Sequence, residues 1–250
     1  MRDYDSQTYG RSFADVYDDW YAGVSPVGAT VARMLQLAGA HGRVLELGVG
    51  TGRLAVPMTE AGLSVTGLDV SPDMLDVLRR RDVARRVSVV VGDMVDDLPD
   101  GPFDAALVAY NTIFNLLEPE RQRACFAQVA ARLAPGGRFV VEAFVPDDEV
   151  IHGAQVTVRS MGVDHVVLSV SRHEPATQRA DGQFIEITES GGVRLRPWAI
   201  RWAAPDELDA MASAAGFAVE HRWADMTAAP FDDDSSGHVT VYRLGGTAAR

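Results

Sequence analysis

The chain has 250 residues, 47% of them hydrophobic and 23% charged, a composition that excludes a disordered chain and allows one large domain with or without an insert. The net charge of −12 disfavours nucleic acid as a partner, because an acidic surface repels phosphate groups. One cysteine cannot form an internal disulfide, no apolar run reaches bilayer length, and no signal peptide is evident. We therefore expect a cytoplasmic protein with no membrane partner.

The N-terminal part of the chain is predicted to be helical. Tyr9, Phe13, Tyr17 and Trp20 recur at helical spacing, which places four aromatic rings on one face of a single helix over residues 9–20. Such a stripe is as typical of core packing as of a binding site. A second amphipathic pattern predicts a helix over residues 26–38.

Strands and helices then alternate along the chain as far as residue 143. The predicted strands are rich in valine and leucine and lie at residues 43–47, 63–69, 87–91, 103–109 and 138–143. The helices between them cover residues 53–61, a segment that starts at Ser71-Pro72, and residues 118–133. Strands joined through helices pair in parallel with right-handed crossovers, so this part predicts a doubly wound α/β fold.

A different pattern begins near residue 146. Four alternating segments follow one another without helices, at residues 155–160, 164–172, 182–189 and 193–202, and predict an antiparallel β insert after the fifth strand. A helix ending at Gly216 and two strands, at residues 217–222 and 238–243, then complete the α/β domain. We expect that domain to comprise residues 1–145 and 205–250, with an N-terminal helical lid. The insert, residues 146–204, is expected to form a wall of the substrate pocket or the face of a homodimer.

A glycine-rich loop, residues 46–52, joins the first predicted strand to the helix after it. Glycines let the backbone turn sharply and approach a ligand, and the helix beyond presents free amide donors. Asp69 ends the next strand about twenty residues later, the spacing at which a carboxylate bonds a ribose hydroxyl. Together they predict a nucleoside-containing cofactor without separating NAD from S-adenosylmethionine. Asp69 could instead cap the turn before Ser71.

The motifs resemble those of class I S-adenosylmethionine-dependent methyltransferases, which have a Rossmann-like sheet. The resemblance rests on residues 44–74, on Gly92-Asp93-Met94 after the third strand, on Phe103-Asp104, and on residues 133–137. The insert is similar in position to that of bacterial small-molecule and deoxysugar N-methyltransferases. The resemblance implies that the cofactor is S-adenosyl-L-methionine and that the partner is a small methyl acceptor.

The same resemblance implies a set of cofactor-binding residues. Gly48, Gly50 and Gly52 would line the methionine moiety, and Asp69 would bond the ribose. Asp93 would accept from the adenine amino group, with Val70 and Met94 flanking the ring and the Met94 backbone meeting it. Tyr110 and Asn111 would face the methionine part. The expected set is completed by Tyr9, Glu46 and Met74.

The implied reaction is methyl transfer to a nitrogen or oxygen by direct displacement, in which the enzyme aligns and desolvates the reactants. An amine acceptor needs no base, whereas an oxygen acceptor usually does. The histidines offered for that role occur in no motif: His152, His165, His173, His221 and His238. We predict Tyr17 as the catalytic residue, acting by positioning or cation–π attraction, and no metal.

Four other functions compete with this interpretation. The sequence contains no lysine, which removes the Tyr-x-x-x-Lys arrangement of an NAD-dependent oxidoreductase. A methyltransferase acting on a peptide N-terminus and a non-catalytic cofactor-binding protein both stay open. A metal-dependent O-methyltransferase would use Asp232, Asp233 and Asp234, but three adjacent aspartates converge poorly on one ion, so we interpret that loop as solvated.

Overall fold

The computed structural model describes residues 1–24, 26–147 and 153–245. The helices are α1 (Thr8–Phe13), α2 (Tyr17–Tyr21), α3 (Val27–Ala38), α4 (Ala55–Glu60), α5 (Pro72–Arg81), α6 (Pro119–Ala130) and α7 (Pro205–Ala214). The strands are β1 (Arg43–Leu47), β2 (Ser64–Asp69), β3 (Ser88–Val91), β4 (Phe103–Val108), β5 (Leu133–Phe144), β6 (Gly153–Met161), β7 (His165–Glu174), β8 (Arg179–Thr188), β9 (Val193–Arg201), β10 (Phe217–Trp223) and β11 (Gly237–Leu244).

Seven strands form one sheet in the order β10-β11-β5-β4-β1-β2-β3. The pairs from β5 to β3 are parallel and those made by β11 are antiparallel. Apolar clusters bury both faces of this sheet, which explains why its strands do not alternate polar and apolar residues. The doubly wound α/β prediction is therefore confirmed. The strand order reverses between β1 and β4, because β2 and β3 are added on one side of β1 and β4 and β5 on the other. Such sheets bind ligands at this place, beyond the carboxyl ends of the strands.

The N-terminal segment departs from the single predicted helix, because α1 ends at Phe13 and α2 begins at Tyr17. In a continuous helix the Ser12 carbonyl would accept from the Val16 amide. Here the Arg196 guanidinium donates to that carbonyl, and the Val16 amide donates to Phe13 instead. A long-range arginine thus competes with the helix for its own acceptor, which the local aromatic spacing could not reveal.

The start of β5 also differs from prediction. The predicted strand begins at residue 138, yet β5 runs from Leu133. A register shift between Phe103 and Ala105 of β4 accommodates Pro135, Gly136 and Gly137 as a bulge within the strand.

The predicted insert is present as a four-stranded antiparallel sheet in the order β6-β7-β8-β9. Its β9 end is tied to the α/β body, since the buried Arg201 donates to Gln122 of α6 and pairs with Glu207 of α7. The division at residues 146 and 204 stays a prediction. Within the described ranges, no helix combines the length and apolarity that crossing a bilayer requires.

Candidate functional site

A cavity opens at the carboxyl ends of β1, β2 and β3, beneath α1 and α2. Its empty volume, including the part open to solvent, is about 810 Å³, within the range of small-molecule sites. Nine of the thirteen predicted site residues line it: Tyr9, Tyr17, Gly48, Gly50, Asp69, Val70, Met74, Asp93 and Met94. The remaining four, Glu46, Gly52, Tyr110 and Asn111, lie outside this lining.

The glycines of the loop have different tasks. Gly48 and Gly50 have φ of +67° and +55°, a region that favours glycine. A Cβ on Gly48 would lie 2.4 Å from Thr112 Cγ2, whereas one on Gly50 would meet only its own loop, at 3.9 Å. Gly50 is therefore the point at which a ligand can approach the backbone. A Cβ on Gly52 would lie 2.7 Å from Leu78 Cγ, so this glycine allows the loop to pack closely against α5.

Asp69 combines the two roles considered from the sequence. Its Oδ2 accepts from the Gly50 amide at 2.8 Å, and its Oδ1 accepts from the Ser71 amide at 2.9 Å. The carboxylate thus holds the glycine loop and caps the turn before α5 while lining the cavity. Burial raises its pKa, and the backbone hydrogen bonds oppose that rise.

Glu46 lies behind the glycine loop as a buried carboxyl group. Desolvation raises its pKa to about 8, against the attraction of Arg53. Its Oε2 has no hydrogen-bond partner among the described residues. A buried carboxyl group with one unsatisfied oxygen is chemically suited to an ammonium group brought by a ligand.

The part of the cavity that follows β3 combines apolar lining residues with one carboxylate, Asp93. Asp93 Oδ1 accepts from the Val95 amide at 2.7 Å and from Arg121 Nη2 at 2.6 Å. Val70 and Met94 contribute apolar lining there. A flat apolar ring with one polar edge fits this combination.

Tyrosines gather at the other end of the cavity. Tyr9 and Tyr21 have their hydroxyl oxygens 3.4 Å apart, and the Tyr17 and Tyr21 rings lie 4.8 Å apart. Tyr110 contacts this group through Tyr21, with ring centroids 5.5 Å apart. Burial raises the pKa of Tyr9, Tyr17 and Tyr110, so these phenols stay neutral at physiological pH.

Tyr110 and Asn111 fix the course of the backbone after β4 and do not line the cavity. Both residues have positive φ, 43° and 62°. The Asn111 side-chain oxygen accepts from the Phe144 amide at 2.7 Å, and Glu142 accepts from the Tyr110 amide at 3.0 Å. The pair therefore fastens the end of β4 to β5, and its expected contact with a ligand stays a prediction.

Half of the lining was not anticipated from the sequence: Tyr4, Ser6, Gly10, Leu68, Ser71, Gly92, Thr112, Asn115 and Leu116. Gly92 precedes Asp93 in a quoted motif, and Thr112 follows β4, so position alone could have suggested both. Tyr4 and Ser6 precede the aromatic stripe without any pattern. Gly10 brings α1 onto the cavity, because a Cβ there would lie 2.3 Å from Ser71 Cβ.

The histidines considered as bases lie away from the cavity where they are described. His238 is buried against Thr240, and desolvation lowers its pKa to about 4. His221 stacks on Trp223, while His165 pairs with Asp164. His173 contacts Ser171, and His152 lies outside the described residues. The acidic loop is a turn in which Asp232 Oδ1 accepts from the Asp234 amide.

Known proteins share this sequence pattern. A methyltransferase domain family matches residues 44–137. The chain is 30% identical over 220 residues to the cypemycin N-terminal methyltransferase of a Streptomyces species, with 86% of this chain and 89% of the relative covered.

Solved structures share the fold. The CcbJ methyltransferase from Streptomyces caelestis is 38% identical, with 97% of this chain and 100% of that chain covered and a TM-score of 0.89. An S-adenosylmethionine-bound amino pentose methyltransferase from Micromonospora echinaspora, involved in calicheamicin biosynthesis, is 21% identical. It superposes over 97% of this chain and 99% of its own, with a TM-score of 0.69, a likeness of fold.

Proposed function

This chain belongs to the S-adenosylmethionine-dependent methyltransferases, and from that premise we propose that it methylates a nitrogen or oxygen of a small molecule, with an amine as the favoured acceptor. The observation that carries the choice of an amine is the tyrosine-rich end of the cavity. Among the described lining residues there is no histidine, and the phenols there have raised pKa values. An amine can lose its proton to water, whereas a hydroxyl acceptor usually needs a base in place.

The residues present fit the cofactor. S-adenosylmethionine supplies, when bound, a methyl group already activated by its sulfonium. Glu46, with its unsatisfied Oε2, would pair with the ammonium group, and the backbone at Gly50 would face the amino-acid end. Each Asp69 oxygen already accepts one backbone amide and has capacity for another bond, so the ribose hydroxyls would donate there. Asp93, Val70 and Met94 would hold the adenine.

The tyrosine end of the cavity would align the acceptor. Ring faces attract cationic groups, and buried neutral phenols offer hydrogen bonds without adding charge. Tyr17 lines the cavity together with Asp69, and its ring lies 4.8 Å from that of Tyr21. We therefore propose that Tyr17 positions the amine, with α1 and α2 excluding water above it.

A peptide N-terminus is the second candidate acceptor. The 30% identical relative is named for N-terminal methylation of cypemycin, and such an acceptor is also an amine. A peptide needs an open approach to the cavity, whereas a small amine fits under the N-terminal helices.

The test couples calorimetry to an acceptor screen. Titration should give micromolar binding of S-adenosylmethionine and S-adenosylhomocysteine and none of NAD. Mass spectrometry would then follow methylation of amino sugars, short peptides with free or acetylated N-termini, and phenols. Methylated amino sugars support the small-molecule acceptor, and methylation of free peptides alone selects the second candidate. Methylated phenols without amines would contradict the amine proposal.

A further inference from the structure

A small hydrogen-bonded network joins α2 to the glycine loop. Asp18 Oδ1 accepts from Thr51 Oγ1 at 2.6 Å, and Asp18 Oδ2 pairs with Arg81, the last residue of α5. Arg81 Nη1 also donates to Thr51 Oγ1 at 3.4 Å, so each of the three side chains contacts the other two. We call these three residues the Asp18 network. It ties together three segments that are distant in sequence: α2, the glycine loop and α5.

The Asp18 network lies directly beside the cavity without lining it. Tyr17, the residue before Asp18, and Gly50, the residue before Thr51, both belong to the described lining, whereas the three network residues do not. A cofactor in the cavity would therefore touch the neighbours of the network and not the network itself. Any influence of Asp18 on the cofactor has to act through the position of α2.

The segment that contains α1 and α2 has a second long-range anchor, which is better buried. Asp15, between the two helices, pairs with Arg196 of β9, whose side chain is 1% exposed and which also pairs with Glu186. The side chains of Asp18 and Arg81 are 35% and 30% exposed. Water can replace the partners of a partly exposed ion pair, whereas a buried guanidinium that loses a carboxylate stays out of reach of water. The Asp18 end of the segment therefore separates at a lower cost than the Asp15 end.

The cavity has to be emptied and refilled in every reaction cycle. Each methyl transfer leaves S-adenosylhomocysteine in place of the cofactor, while Tyr9, Gly10 and Tyr17 of the two helices lie over the site. α1 is packed closely on the start of α5, because a Cβ on Gly10 would lie 2.3 Å from Ser71 Cβ. Of the two helices, α2 is thus the one whose contact with the site can be broken and remade most easily.

We propose that Asp18 is a positioning residue that holds α2 over the bound cofactor and thereby sets the rate of cofactor exchange. During exchange the bonds of Asp18 to Thr51 and Arg81 break, α2 moves away from the glycine loop, and Asp15 keeps the segment attached to β9. The same opening admits the cofactor and releases S-adenosylhomocysteine, so weakening the Asp18 network raises both rate constants and changes the dissociation constant little. Exchange needs no methyl acceptor, so this role is independent of the acceptor proposed above.

The test is stopped-flow fluorescence with S-adenosylhomocysteine, whose binding Trp20 on α2 can report. This ligand has no net charge at neutral pH, so removal of one carboxylate does not alter its electrostatic steering. Asp18→Ala should raise the association and dissociation rate constants by about 10-fold each, with a dissociation constant within about 3-fold of that of the unaltered protein. Asp19→Ala removes the neighbouring exposed carboxylate of the same helix and should leave both rate constants unchanged.

Further measurements keep the result decisive if Asp18→Ala folds poorly. Arg81→Gln breaks the Asp18 network from the α5 side and should accelerate both steps in the same way. A protein with both substitutions should exchange no faster than the faster single variant, because both open the same contact. In the unaltered protein, added salt should raise both rate constants by screening the partly exposed ion pair, and it should have little effect on Asp18→Ala.

Three results would overturn this role of Asp18. A rise in the dissociation rate constant alone would mean that Asp18 only stabilises the bound state. Unchanged rate constants in both Asp18→Ala and Arg81→Gln would mean that α2 does not open at this contact. A larger acceleration by Asp15→Ala would place the opening at the insert. A failed acceptor screen concerns the proposed acceptor alone, because these rate constants are measured without one.

Discussion

The floor and the roof of the cavity are built on different principles. The floor, consisting of the glycine loop with Asp69 and Glu46, is held by backbone amides and buried strands that are close in sequence. The roof, α1 and α2, is held by side chains from far along the chain, with Arg196 on β9 pairing with Asp15. We therefore expect the floor to form with the sheet, and the roof to loosen without unfolding it when its long-range contacts are removed. Substitutions at four positions test the contributions of the floor and of the roof one at a time.

The largest expected effect is that of Glu46, a floor residue, on the free energy of unfolding of the protein. Its pKa is about 8 in the folded protein against 4.5 for the ordinary carboxyl group, so the folded state binds the proton more tightly. The contribution of Glu46 to the free energy of unfolding is fully present below pH 4.5. It is lost as the pH rises through 8, which lowers the free energy of unfolding by on the order of 3–5 kcal/mol. Glu46→Gln should flatten that decline, as urea unfolding at a series of pH values would show. An unchanged slope would mean that Glu46 titrates normally.

Asp69→Ala tests the floor as a cofactor site. Loss of hydrogen bonds to a buried polar ligand should weaken S-adenosylmethionine binding by about 1–3 kcal/mol, or roughly 5- to 150-fold. Calorimetry gives the dissociation constant directly. Asp104→Ala is a suitable comparison, because Asp104 accepts from the Arg43 amide at the far end of β1 and should leave binding unaltered. Equal affinity in both variants would remove Asp69 from the site.

Asp15→Ala tests the roof. It removes one partner of the buried Arg196 but leaves Glu186, so we expect a loss of about 1–2 kcal/mol in the free energy of unfolding. Turnover should fall more than cofactor affinity, because the floor is untouched. Asp76→Ala breaks the exposed pair with Arg79 and should cost at most about 0.5 kcal/mol. Equal effects of the two substitutions would show that the roof is not held by Arg196.

Tyr17→Phe is the mildest test and concerns the contact between roof and floor. The ring face remains, so we expect turnover to fall by no more than about 5-fold, equivalent to ~1 kcal/mol. Tyr17→Leu removes the ring and should lower turnover further, with a smaller change in cofactor affinity. Single-turnover rates separate the two parameters. Equal rates for the Phe and Leu variants would exclude a role for the aromatic ring.

Much of the fold followed from local patterns. The strands of the α/β part and of the insert were predicted within a few residues, because apolar periodicity is imposed by burial of each strand. The helix over residues 9–20 was wrong because Arg196 takes the Ser12 carbonyl. The early start of β5 was missed because Leu133 pairs with Phe103, and residues 134–137 bulge between that pair and the pair of Arg138 with Ala105. Both differences come from partners that are distant in sequence.

The sequence by itself determined the class of cofactor site, because the glycine loop and Asp69 lie at strand ends whose spacing is a property of one β-α-β unit. Tertiary structure alone decided which residues close that site. Tyr4 at the N-terminus meets Thr112 and Leu116, which follow β4, only when the sheet is assembled. Likewise, the alternation within β6 to β9 revealed two faces, but only the packing of Arg196 and Phe184 showed which face carries the N-terminal helices.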